Sequence, residues 1–88
     1  MKKLSSAQRK VLEKMAEGAH IELKHGKAGL YSPELAFEEY VHGATFMALL
    51  RRRLIAREGP ISYIADEYVI TALGRAALEG EDETNSSI

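Results

Sequence analysis

The residues of this chain best suited to chemistry are three consecutive arginines, Arg51, Arg52 and Arg53, closing the run Thr45-Phe-Met-Ala-Leu-Leu. An arginine can hold guanine O6 and N7 through two parallel hydrogen bonds. On a helix, positions three and four apart share a face, which puts Phe46, Leu49, Leu50 and Arg53 with Leu54 on one side. Thr45, Ala48 and Arg52 fall on the other. Such a helix can bury its apolar side and offer its small, polar, basic side to a polyanion. The same arginines also suit an ordinary helix C-terminus, where cations offset the dipole.

Other reactive residue types are not gathered by spacing. His20, His25 and His42 are scattered, and the absence of cysteine removes disulfides and thiolate zinc sites and fits a reducing compartment, so no metal is expected. Glu38-Glu39 and Asp66-Glu67 are adjacent pairs, which point in different directions on a helix or strand and make no acid/base dyad. No glycine-rich phosphate loop or nucleophile elbow is present. The expectation is a protein without a cofactor that is not an enzyme.

A chain of 88 residues forms one small domain with a modest core, for which dimerisation would add stability. Only the first three residues resemble a signal peptide, no apolar run follows them, and no segment is long enough to span a bilayer. A soluble, cytoplasmic protein without membrane contact is expected. Lys plus Arg number 12 against 13 Asp plus Glu, a net of −1. Residues 79–88 hold four of the acids, Glu79, Glu81, Asp82 and Glu83, and no base, leaving 12 bases against 9 acids, or +3, in residues 1–78. The domain is therefore placed at 1–79, with 80–88 as an acidic tail whose composition predicts disorder. A tail of that sign could also compete with DNA for a basic face.

The elements that would position the arginines follow from periodicity and punctuation. Ser5 and Gln8 have the spacing of a capping box, and Val11, Leu12, Met15, Ala16 and Ala19 repeat helically, predicting a helix over about 6–17 that Gly18 ends. His20–Lys24 alternates like a half-buried strand, 25–29 is a turn, and a short strand near Leu30 and Tyr31 would pair back. Ser32-Pro33-Glu34 looks like a helix start, and Ala36/Tyr40 and Phe37/Val41 lie four apart, so a helix is favoured over 33–41. A strand is the competing reading, because Phe37, Tyr40 and Val41 are strand formers. The arginine helix would occupy 44–53 after a turn at Val41-His42-Gly43-Ala44. Leu54–Arg57 reads as a strand, 58–60 as a turn, 68–70 as a return strand, and Thr71 as the cap of a last helix to about Glu79. Gly74 inside that helix costs about 1 kcal/mol relative to alanine, which implies a close approach by another element.

Ala-Leu-Leu-Arg-Arg-Arg-Leu-Ile, a gap, and Tyr-Val-Ile-Thr-Ala-Leu-Gly-Arg together resemble the "aLvrrGLI … y.LT..Gr" ending of many small bacterial and phage winged-helix proteins and of the MarR- and PadR-like regulator core. The likeness covers about 44–78 well and the first helix loosely. It departs where this chain has Arg53 instead of glycine, and in the hairpin at 20–31, which a minimal winged helix lacks. The resemblance implies an α+β winged helix-turn-helix with an extra N-terminal β-hairpin and a short C-terminal helix. It implies a small transcriptional regulator that binds double-stranded DNA, as a homodimer, with its third helix in the major groove. By position it assigns Thr45, Ala48, Arg51 and Arg52 to DNA, with His42 and Gly43 at the start of the helix and Arg57 in the wing. The wing loop 58–67 nevertheless carries three acids and no base, and Ile61, Tyr63 and Ile64 are more apolar than an exposed loop needs. The alternative is a protein-interaction module, such as a phage-type factor that binds a host protein or itself through those three residues.

Overall fold

A computed structural model describes residues 3–59 and 65–86, the last six as backbone only. Its first helix, α1 (Ser6–Ala16), begins on the capping box: the Gln8 amide donates to Ser5 Oγ at 3.1 Å and the Ser5 amide to Gln8 Oε1 at 3.2 Å. The chain leaves α1 through Gly18, whose φ of +113° lies in the region that side chains avoid, and a Cβ there would meet the Pro33 ring. Strands β1 (His20–Lys24) and β2 (Lys27–Tyr31) form a hairpin as expected, but its turn is only His25 at φ 49° and Gly26 at φ 77°, so residues 27–29, expected in the turn, belong to the strand.

The helix expected over 33–41 is not formed; Phe37–Val41 is a strand, β3, paired antiparallel with β2. Ser32 closes off the helix start locally. Its amide donates to the Ala36 carbonyl at 2.8 Å, its carbonyl accepts from the Leu35 amide at 2.9 Å, and its hydroxyl accepts from the Ala36 amide at 3.1 Å. Those bonds close a tight turn with Leu35 at φ 68°, a geometry a helix cannot continue through. Strand formers and an unpaired edge on β2 then outweigh the proline-and-acid start signal.

The remaining elements follow in order: α2 (Gly43–Arg51), β4 (Ile55–Glu58), β5 (Asp66–Ile70) and α3 (Ala72–Ser86). With no helix at 33–41, α2 follows a strand directly. Helix α3 runs past Glu79, so residues 80–86 of the segment expected to be disordered continue a helical backbone. The architecture is α+β, with a five-stranded antiparallel sheet in the order β3-β2-β1-β5-β4. Ile21, Ala28, Leu30, Ile55 and Tyr68 lie on one face of the sheet beneath Leu12 and Met15 of α1 and Phe46 and Leu49 of α2, forming a single core. Thr71 ties the end of α2 to the start of α3: its hydroxyl donates to the Arg53 carbonyl at 2.7 Å and accepts from the Gly74 amide at 3.0 Å.

Candidate nucleic-acid interface

Helix α2 starts at His42, whose Nδ1 accepts from the Ala44 amide at 3.2 Å and so occupies one of the amides a helix start leaves unbonded. Phe46 and Leu49 anchor the helix, with Phe46 edge-on to Tyr68 at 5.0 Å between ring centres. What remains outward is Gly43, Ala44, Met47 and Arg51, all exposed. Thr45, Ala48 and Arg52 are half-buried on the flank, and Arg52 Nη1 donates to Gln8 Oε1 of α1 at 3.2 Å. The outward face is therefore one position earlier than the helical phase read from the sequence, and Arg51, not Arg52, is its basic member. The phase slipped because the apolar run was extended through Arg53 and Leu54, whereas α2 ends at Arg51 and Arg53 sits at φ 61° outside it.

Arg57 is exposed on β4, directly opposite Tyr68 of β5. Cross-strand partners share a face. Since Tyr68 packs on Phe46, Arg57 lies on the α2 side of the sheet. Glu58 is opposed by Glu67 on the other face, so the β4–β5 hairpin pairs like charges. Ile61, Tyr63 and Ile64 lie outside the described residues. Of the expected site, the fold thus leaves His42, Gly43 and Arg51 exposed along α2 and Arg57 exposed on the same side of the sheet, and turns Thr45, Ala48 and Arg52 aside.

Two surfaces were not foreseen from the sequence. A groove of about 510 Å³ separates the N-terminal end of α2 from the β1–β2 turn, lined by Gly43, Met47, Gly26, Lys27, Tyr40 and Val41. On the sheet face away from the helices, His20 stacks on Tyr31 at 5.8 Å, Tyr31 meets Phe37 at 5.5 Å, and Phe37 meets Tyr40 at 4.9 Å. Gly29 leaves the space between Tyr31 and Phe37 that a Cβ would fill. Lys24 lies over the Tyr31 ring and Lys27 over the Tyr40 ring. The signal available in the sequence was Lys24-His25-Gly26-Lys27, a basic turn within residues 23–33, which contain no acid.

His20 Nε2 donates to Glu22 Oε2 at 3.0 Å. That bond, foremost, and Lys24 beside it hold the Glu22 carboxyl below its ordinary range against the opposing effect of burial. No cluster of three or more metal-ligating side chains occurs among the described residues, and none of their helices is long and apolar enough to cross a membrane. No family model, curated protein or solved structure matches this chain.

Proposed function

We propose that this chain is a winged-helix protein of the kind its sequence resembles, binding double-stranded DNA as a small cytoplasmic transcriptional regulator and working as a homodimer. The observation that carries the reading is the outward face of α2, where Gly43 and Ala44 permit close approach and Arg51 offers two parallel donors to guanine. The helix leads straight into β4–β5, with Arg57 on its side of the sheet. Strands β1, β5 and β4 adjoin in that order, as the three strands of a winged helix do, and β2–β3 stands where its second helix would be. Arg51→Ala should weaken duplex binding by about 1–3 kcal/mol at fixed salt with the fold intact. Fluorescence anisotropy on a duplex selected from a random library measures it; unchanged affinity removes α2 as the reading element.

A protein-interaction role is favoured by a different observation. Phe37, Tyr40 and Met47 are exposed at 48%, 68% and 44%, and Leu35 at 71% in its left-handed turn. On that reading the chain binds no duplex even at low salt.

A further inference from the structure

Bases and acids are sorted along this chain. Residues 40–57 hold Arg51, Arg52, Arg53 and Arg57 without an acid, and residues 23–33 hold Lys24 and Lys27 without an acid. Pairing of β2 with β1 and β3 brings the turn of the second segment to the start of α2, where Gly26 and Lys27 line one groove with Gly43 and Met47, while the Lys24 and Lys27 ammoniums rest over Tyr31 and Tyr40 on the sheet face away from the helices. The turn itself is locally unfavourable. Lys24 and Lys27 are direct cross-strand partners, so two like charges face each other. Between them His25 adopts φ 49°, a position where asparagine or glycine fits at lower cost. Each ammonium is held over a tyrosine ring, Lys24 at 5.6 Å from Tyr31 and Lys27 at 5.9 Å from Tyr40, and Lys24 also reaches Glu22 at 3.4 Å.

We infer that the β1–β2 turn grips the phosphate backbone, with Lys24 and Lys27 as phosphate-contacting residues, while α2 reads the groove beside it. Two lysines opposed at the tip of a hairpin present their charge to a partner that carries a run of anions. The β4–β5 hairpin cannot do this as well, since Glu58 faces Glu67 there. Tyr31 and Tyr40 hold the two ammoniums in place, with Glu22 offsetting part of the Lys24 charge, and Gly26 keeps the tip small enough to approach a backbone. This rests on the proposed duplex binding and adds a contact on an element that a minimal winged helix does not possess.

The test is the salt dependence of duplex affinity for the full chain, the Lys24→Gln/Lys27→Gln double variant, and a charge-matched Lys10→Gln/Arg75→Gln control on α1 and α3. Loss of two phosphate contacts should reduce the slope of log affinity against log salt by about 1–2. Affinity at 0.1 M salt should fall about fivefold to tenfold per lysine, equally for all duplex sequences, whereas Arg51→Ala should change which sequence is preferred. An unchanged slope in a lysine variant that still unfolds at the wild-type temperature overturns the contact. So does an equal loss in the control pair, which would mark a long-range effect of net charge. Wild-type protein that binds no duplex at low salt overturns the underlying DNA reading instead, and the contact with it.

Discussion

Arg53 occupies the left-handed terminus that follows α2, and its φ of 61° is one a glycine adopts without cost. The sequence marked this place, because glycine was expected there; the arginine left the geometry in place and added strain. Arg53→Gly should therefore raise stability by about 0.5–1 kcal/mol, after the greater freedom of glycine in the unfolded chain is set against the strain relieved. A urea midpoint that falls would mean the arginine side chain holds the terminus through contacts that outweigh its backbone. Glu22 gives a second residue-scale test. Its carboxyl is depressed below 4.5, first by the bond from His20 and then by Lys24, so its stabilisation is complete above the unfolded value and is lost as pH falls through the folded one. Below about pH 4.5 the wild type should lose stability faster than Glu22→Gln, as thermal unfolding across pH 2–6 would show. Parallel curves would exclude that pair as a source of acid sensitivity.

At the level of elements, α1, the 20–31 hairpin and the Thr71 cap were legible because each is fixed by neighbours within a few residues. Ser5 with Gln8 and Thr71 with Gly74 make the bonds their spacing implies. Residues 33–41 were misread because the deciding partner, β2, supplies its hydrogen bonds from a separate strand, and a proline with an acid behind a serine looks the same in a turn as in a helix start. The outward face of α2 slipped by one position for a similar reason, since α1 selects which flank of α2 it covers. Gly74 was read correctly as a close approach: a Cβ there would run into the Leu54 carbonyl and the Ile70 side chain. Gly74→Ala should thus destabilise the domain by about 1–3 kcal/mol despite the better helix propensity of alanine, against a gain of about 1 kcal/mol if the site were open. Denaturant unfolding separates the two signs.

Across the whole molecule, a net charge of −1 conceals a division between basic segments at 23–33 and 40–57 and an acidic end. The arginines were legible as one cluster in the chain; that a distant basic turn comes to the N-terminal end of the same helix was not, because that adjacency depends on strand pairing. Removing residues 81–88 deletes Glu81, Asp82 and Glu83 and takes the net charge to +2. The truncated chain should bind non-specific duplex more tightly at low salt, with the advantage shrinking as salt approaches 0.1 M, where the screening length is about 10 Å. Equal affinity at all salt concentrations would place the acids too far from the basic side to matter. The order of the strands has a further consequence, for how copies of this molecule behave in one another's company. Among the described residues strand β3 pairs only with β2, so its other edge is a ready template for a neighbouring chain, bearing the exposed aromatics Phe37 and Tyr40. Lys14 holds Glu38 at 3.1 Å and Lys10 holds Glu39 at 3.7 Å, so that edge presents ion pairs already completed within its own chain. With both glutamates uncharged, the same five residues become an aromatic strand without charge that is free to add to itself, and what changes first is how long a concentrated solution stays clear.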